Sequence, residues 1–299
     1  MTKNTQNSGE AVSVNAFSIP EKCLIFAEIG INHNGDMGIT KQLIDMAAEA
    51  GCDAVKFQKR TINIVYSPEV LATPRQSPWG TTTKEQKEGL EFDKAQYDEI
   101  DAYCREKGIA WFASAWDIPS QEFLRSYNLP YNKIASAMAT HLEFVEAVAA
   151  EKKPTFLSVG MCTYEDVDKA VAILRRHNCP FTIMHTVSTY PCAEEDLNLL
   201  AMQEIRKRYG VPVGYSGHEV SVSPSVMAAA LGAVVVERHI TLDRAMYGSD
   251  QAASLEKPGL ETLVAQIRKL HAVLGDGVKR VSDAEKAVAG KLRYWPTSA

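Results

Sequence analysis

The 299-residue sequence contains no apolar run near the ~20 residues that a membrane-crossing helix needs, so no spanning segment is expected. It contains no CxxC pair. Its six cysteines (Cys23, Cys52, Cys104, Cys162, Cys179 and Cys192) are scattered, which predicts free, mostly buried thiols and not a zinc ribbon or disulfide framework. It has no surplus of positive charge: 32 Lys and Arg stand against 37 Asp and Glu, a net charge of −5. That argues against nucleic acid or an anionic membrane as the main partner, while leaving room for a small anion held by a few local lysines. Residues 1–15 are polar and lack the apolar centre of a signal peptide, so the expected location is the cytoplasm. No internal repeat or low-complexity segment is present. The 45% of hydrophobic residues excludes disorder as the main state, and a chain of this length buries enough surface without disulfides or metals.

What is present is a rhythm. Short apolar, β-branched runs at Leu24–Ile29, Ala54–Gln58, Ala110–Ser114, Asn132–Ser136, Thr155–Val159, Thr182–Thr186, Val211–Tyr215 and Val234–His239 read as strands. Helix-like stretches lie near 37–50, 95–107, 119–127, 141–150, 163–177, 197–208, 222–231 and 259–274. Strands separated by helices need crossover connections and pair in parallel, and near-continuous apolar strands suit a sheet covered on both faces. Strict alternation of eight such units in about 250 residues predicts an α/β (β/α)8 TIM barrel. The competing open, doubly wound sheet would carry a GxGxxG turn after its first strand, and none is there. Glycines at Gly51 and Gly108 and the Thr163-x-Glu165-Asp166 start suit helix ends.

The expected organisation is a polar, mobile N-terminus over 1–15, a barrel over 16–280 with a small strand or hairpin at 16–22, and a C-terminal tail over 281–299 with helix potential. Segment 60–93, with Pro68, Pro74 and Pro78, reads as a long functional or mobile loop after the second strand, and Lys84–Glu91 within it as a solvated face. His141, His177 and His271 read as surface residues, and Met227–Leu231 as helix packing. His33 and Asn34 in the first strand–helix loop suit a substrate contact or a turn equally well.

In a barrel, chemistry sits at the C-terminal strand ends. The polar residues there are Glu28, Lys56 and Gln58, Ser114, Lys133 and Ser136, Ser158, His185 with Ser188 and Tyr190 beyond, Ser216 and His218, and Glu237 and His239. Residues two apart share a face, so Lys56 with Gln58, Ser216 with His218, and Glu237 with His239 can enter one mouth. Two inward lysines need partners, and an anionic substrate such as a carboxylate-phosphate compound is the expected one. His218 and His239 on adjacent strands, with Glu28 on the strand that closes the barrel, suit a divalent metal with open positions: Mn2+, Fe2+, Co2+ or Zn2+.

The runs Ala27–Asp36 (AEIGINHNGD), Val55–Lys59 (VKFQK), Lys133–Ser136 (KIAS), Ser158–Met161 (SVGM), Ser188–Pro191 (STYP), Gly214–Glu219 (GYSGHE), Glu237–Asp243 (ERHITLD) and Gly248–Asp250 (GSD) resemble the sialic acid synthase family, which includes N-acetylneuraminate synthase and related nonulosonic acid synthases. The resemblance covers about residues 17–280. It implies a phosphoenolpyruvate-dependent, carbon–carbon bond-forming transferase that condenses phosphoenolpyruvate with an aldose such as N-acetylmannosamine and releases inorganic phosphate. It implies a divalent metal, Mn2+ first, with Mg2+ or Co2+ as alternatives. By position it assigns Lys56, Ser114, Lys133, Ser136, Ser158, Ser188 and Ser216 to phosphoenolpyruvate, His218 and His239 to the metal, and Glu28, Gln58, Tyr190 and Asp250 to the sugar side. Glu28 and Asp250 are the expected catalytic carboxylates.

Three departures from the family pattern stand out. Met138 occupies a place that is acidic in many members, and Gln251 a place often held by histidine. Many members also carry a C-terminal antifreeze-like domain that reaches the partner's site, which is not expected within these 299 residues. Segment 60–93, with Tyr66 and Trp79, or a separately encoded domain is the expected substitute in closing the sugar side. A homodimer is expected. Two other functions share the pattern: a metal-dependent hydrolase or lyase using His218 and His239, and a partner-dependent subunit that binds phosphoenolpyruvate.

Overall fold

The computed structural model describes residues 22–295; the expectations for 1–15 and for 16–21 lie outside them. Ten strands occur among these residues: β1 (Leu24–Gly30), β2 (Ala54–Lys59), β3 (Pro74–Ser77), β4 (Gly80–Thr82), β5 (Ala110–Ala115), β6 (Asn132–Ile134), β7 (Thr155–Ser158), β8 (Phe181–Thr186), β9 (Val213–Gly217) and β10 (Val235–His239). Eight of them close a parallel barrel in the order β1-β10-β9-β8-β7-β6-β5-β2, the TIM-barrel architecture that the alternation predicts. The helices between them are α1 (Met37–Ala50), α2 (Ile62–Val65), α3 (Pro68–Leu71), α4 (Thr83–Leu90), α5 (Lys94–Lys107), α6 (Ile118–Arg125), α7 (Leu142–Ala149), α8 (Tyr164–Arg176), α9 (Ala201–Tyr209), α10 (Ser223–Ala230) and α11 (Lys257–Leu274).

The helix ends follow from local chemistry. Gly51 and Gly108 take left-handed backbone conformations after α1 and α5, where a residue with a Cβ would be strained. Thr163 and Asp166 form a reciprocal capping box at the start of α8.

The barrel interior has two layers, set by strand parity. Phe26, Phe112 and Phe156 lie two residues before Glu28, Ser114 and Ser158, so each aromatic ring sits beneath a polar group. The three rings and Tyr131 pack edge-on or tilted, with centroids 4.9 Å apart for Phe26–Phe112 and 5.0 Å for Phe26–Phe156. This plug seals the bottom of the barrel and excludes water from beneath the polar layer.

Several expectations change. Segment 60–93 is not an irregular loop: it contains α2, α3, the antiparallel β3–β4 hairpin and α4. The face Lys84–Glu91 is only partly solvated, because Gln86 and Leu90 are buried, as is Thr83 just before them. Met227 is exposed on α10, while Ala228 and Ala229 do the packing. Ser136 lies beyond β6, on a short 3-10 turn. The tail contains a helix, α12 (Asp283–Leu292), none of whose residues is buried. Among the described residues no helix is long and apolar enough to cross a membrane.

Candidate active site

Strand register brings the polar residues level. Glu28 pairs across with His239 on one side and Lys56 on the other, Gln58 with Ser114, Ser114 with Lys133, and Glu237 with Ser216. The result is a cleft of about 170 Å³ at the C-terminal mouth. Of the thirteen residues singled out in the sequence, Glu28, Lys56, Gln58, Ser114, Lys133, Ser136, Ser158, Ser188, Tyr190, Ser216, His218 and His239 line this cleft. Asp250 is not in the lining but stands just behind it, its Oδ2 3.9 Å from His239 Nδ1. His185 turns away, its Nε2 2.7 Å from the Leu197 carbonyl, because Thr186 takes the inward position.

The two lysines are not waiting for a partner, contrary to the expectation. Glu237, also on an inward strand position, bridges both: its Oε1 is 3.1 Å from Lys56 Nζ and its Oε2 3.0 Å from Lys133 Nζ. Lys56 also lies 3.0 Å from Glu28 Oε2, and Lys133 donates to Ser158 Oγ at 2.8 Å. Burial works to raise the Glu237 pKa, but Lys133 and Lys56 overrule it and hold the carboxyl at about 2. Burial pulls Lys56 down, yet Glu237 and Glu28 outweigh it and raise the pKa. For Lys133 burial wins and pushes the pKa down to about 8, with Glu237 opposing. The quartet of two ammoniums and two carboxylates is neutral, so an anion that enters must be balanced by further positive charge.

The serines form a ring of hydroxyls beside this quartet. Ser216 donates to Glu237 Oε1 at 3.3 Å, and Ser136 Oγ accepts the Gly160 amide at 3.0 Å. Residue 160 must be glycine: a Cβ there would meet Ser188 Oγ at 2.3 Å and Ser136 Oγ at 3.0 Å. The close approach lets two hydroxyls and a backbone turn converge on one spot.

On the opposite side stand the imidazoles, with His218 and His239 centroids 5.5 Å apart. His218 Nδ1 donates to the Val187 carbonyl at 2.7 Å, which fixes the tautomer and leaves Nε2 free. Burial, with help from His239, pushes the His218 pKa down to about 3, so the ring is neutral. His239 Nδ1 is buried without a hydrogen-bond partner. Among the described residues no three His, Cys, Asp or Glu side chains cluster tightly enough to hold an ion alone. The pair therefore fits a metal that keeps positions for water and substrate oxygens, and does not form a closed structural site.

A buried ion pair sets where the two histidines stand. Arg238 and Glu219, the neighbours of His239 and His218 in sequence, are both fully buried and pair at 2.9 Å. Arg238 also donates to the Ser221 carbonyl at 2.8 Å, to Ser225 Oγ at 3.0 Å and to the Glu219 carbonyl. These bonds tie the end of β10 to the loop after β9. Sequence reasoning missed this pair and missed Glu237 as the shared counter-ion; two lysines and one glutamate of the right parity were the available signal.

His33 and Asn34 make a turn. His33 stacks on Phe92 with centroids 4.1 Å apart, accepts the Gly35 amide at 3.0 Å and is pushed by burial to a pKa of about 3. Met138 is buried in the core. Gln251 is buried too, accepting from Thr241 and donating to the Asn32 carbonyl at 3.3 Å, so it braces the Asp250 loop against the loop after β1.

A family model described as the NeuB family matches residues 43–279. N-acetylneuraminate-9-phosphate synthase of Homo sapiens is 39% identical over 273 residues, a match covering 90% of this chain and 76% of that protein. N,N'-diacetyllegionaminic acid synthase of Campylobacter jejuni is 34% identical, over 89% of this chain and 81% of that protein. The crystal structure of N-acetylneuraminic acid (sialic acid) synthetase from Leptospira borgpetersenii in complex with citrate superposes with a TM-score of 0.79 at 29% identity, covering 92% of this chain and 93% of that one. The barrel, the ordered run of strand-end residues and these matches agree: the chain belongs to the NeuB family, the synthases of sialic and related nonulosonic acids.

Proposed function

We propose that this chain condenses phosphoenolpyruvate with the aldehyde form of an acceptor sugar, giving a 2-keto nonulosonic acid and inorganic phosphate. The observation that carries this reading is the ring of Lys56, Lys133, Ser114, Ser136, Ser158, Ser188 and Ser216 set beside the imidazoles of His218 and His239 in one cleft. Ammonium and hydroxyl donors suit a ligand with both a carboxylate and a phosphate, and they hold its enol in a fixed orientation. In the reaction C3 of phosphoenolpyruvate forms a bond to the aldehyde carbon and the aldehyde oxygen takes up a proton. Water adds at C2, and the resulting tetrahedral centre expels phosphate by breaking the C2–O bond.

Glu28 is the expected proton acceptor for that water. Its Oε1 receives Gln58 Nε2 at 2.8 Å and its Oε2 lies 3.0 Å from Lys56, so the carboxylate is held in place by donors and is poised to accept a proton. Asp250, behind His239, is the second carboxylate of the sugar side. Tyr190, whose ring lies 4.0 Å from that of His218, walls the same side. His218 and His239 would hold a divalent metal, Mn2+ first; when bound, it supplies Lewis-acid polarisation of an oxygen ligand and positive charge to offset the incoming anion. The aromatic plug below keeps bulk water out of the polar layer, and holding two substrates in register supplies several kcal/mol, on the order of 7–11 at best. A homodimer is the expected assembly.

The test is phosphate release from phosphoenolpyruvate with Mn2+ across a panel of aldoses, with and without EDTA. Release that requires both sugar and metal is the expected result. Release without any sugar, or none with any of them, overturns the reading.

A further inference from the structure

The C-terminal stretch collects apolar surface that the barrel does not use. Among the described residues, nearly half of the exposed large hydrophobic side chains fall within residues 273–295. Their centre is α12, a ten-residue helix with no buried residue. A helix this short is marginal in water on its own. Its local devices are a Ser282–Glu285 capping box and an exposed Lys286–Asp283 pair at 2.8 Å. They mark where the helix starts without supplying the packed face that holds most protein helices. Apolar surface gathered in this way marks an interaction site.

The sequence around α12 matches itself in reverse. At about 100° per residue, Ala284, Val288 and Leu292 share one stripe about 80° wide. Val288 and Leu292 are 52% and 72% exposed, and Val281 and Trp295 at either end of the stripe are also more than half exposed. Laid antiparallel against a second α12 with Val288 on the two-fold axis, the stripe sets Ala284 opposite Leu292 and Val281 opposite Trp295, a small residue facing a large one each time. The charges follow the same reversal. Asp283 and Glu285 occupy the first turn, while Lys291 lies in the last and Arg293 just beyond it. In the antiparallel arrangement Asp283 comes beside Lys291 of the second copy, and Glu285 beside its Arg293. The helix dipoles also oppose one another. A parallel pairing would set acid against acid and base against base.

We propose that α12 is a self-association surface and that its occupant is α12 of a second copy of this chain, in an antiparallel, isologous pair. This goes beyond the synthase reading and does not rest on it. The surface is reached from the face of the barrel opposite the chemistry. Helix α11, which leads into it, runs to the starts of β1 and β2, where Arg268 donates to the Cys23 carbonyl at 2.7 Å and pairs with Asp53 at 2.7 Å. The cleft stands at the other ends of those strands. Two copies joined through α12 therefore keep both clefts open, and association and turnover are independent. A contact of this length is smaller than the standard ~800 Å² a side, so the expected Kd is on the order of micromolar.

The experiment is sedimentation velocity on the full chain across a concentration series. A reversible monomer–dimer equilibrium is expected. Val288→Glu combined with Leu292→Glu should weaken it at least about a hundredfold, with kcat and the circular dichroism of the barrel unchanged. Lys291→Glu with Arg293→Glu should weaken it about tenfold, and so should Asp283→Lys with Glu285→Lys; mixing these two variants should restore a dimer. Val288→Cys should cross-link two copies under mild oxidation, whereas Lys286→Cys, on the far side of the helix, should not. A chain that stays monomeric throughout overturns the proposal. So does a dimer that survives Val288→Glu with Leu292→Glu, since its contact then lies elsewhere. Charge-reversed variants that do not restore one another, or cross-linking at position 286 as ready as at 288, overturn the antiparallel pairing.

Discussion

The floor and the roof of the cleft are built on opposite plans. On the floor, six strands supply Glu28, Lys56, Lys133, Ser158, Ser216 and Glu237, every one of them buried. Their charges neutralise one another, and an aromatic plug holds them from below. On the roof, the segment between β2 and α5, short helices and a hairpin with strands of four and three residues stand at intermediate depth, Lys87 and Trp79 among them, with Arg60 at the start of the segment. A charge buried on a strand must be satisfied by the fold itself, because no water reaches it. A charge on a half-exposed insertion can be left to water. The difference teaches that strand-borne charges are satisfied within the fold, whereas those of the insertion stand at its partly exposed edge.

That comparison breaks most visibly at Lys56. Lys56→Ala removes an ammonium from the floor and leaves Glu28 without its ion pair, so kcat/KM should fall about a thousandfold in the steady-state assay; a near-normal rate would remove Lys56 from its assigned role. Arg238→Met should cost about 3–5 kcal/mol in urea unfolding, because it leaves the Glu219 carboxylate buried and unpaired. The same variant should weaken Mn2+ affinity, read by EPR, more than Arg238→Lys does, if the pair sets the spacing of His218 and His239.

The pH dependence sharpens the contrast. With its folded pKa at about 8 and its unfolded value near 10.5, Lys133 sheds its proton in the folded chain first as pH rises. Between those values the unfolded state binds more protons, so this group's contribution to stability grows with pH. Affinity for phosphoenolpyruvate should move the other way, with KM rising as pH passes about 8. A KM for phosphoenolpyruvate that falls or stays flat while stability rises across that range would show that another group dominates.

The smallest effect is expected on the roof. Trp79→Ala loses the edge contact with Tyr247 and should raise KM for the acceptor a few-fold, leave KM for phosphoenolpyruvate unchanged, and shift stability less than the Arg238 variant does. A larger effect on phosphoenolpyruvate than on the sugar would place the roof over the wrong substrate.

Most of the barrel was legible in the chain. The eight strand runs lie within about two residues of their observed bounds because a parallel strand covered on both faces needs an unbroken apolar run. The insertion was not legible, since its elements are too short for periodicity to register: α2 and α3 have four residues each and β4 has three. The cleft divides the same way. Period-two parity, by itself, determined that Lys56 and Gln58, Ser216 and His218, and Glu237 and His239 share a face. It could not say that Glu237 stands between two lysines that lie 77 positions apart in the chain, because that depends on the stagger of strands around a closed barrel. Nor could it say that Arg238 turns outward to hold Glu219, or that Arg60 meets Trp116 beneath a roof folded from residues 60–93. Those contacts were decided only in the tertiary structure, where buried charges select their partners by distance and not by sequence.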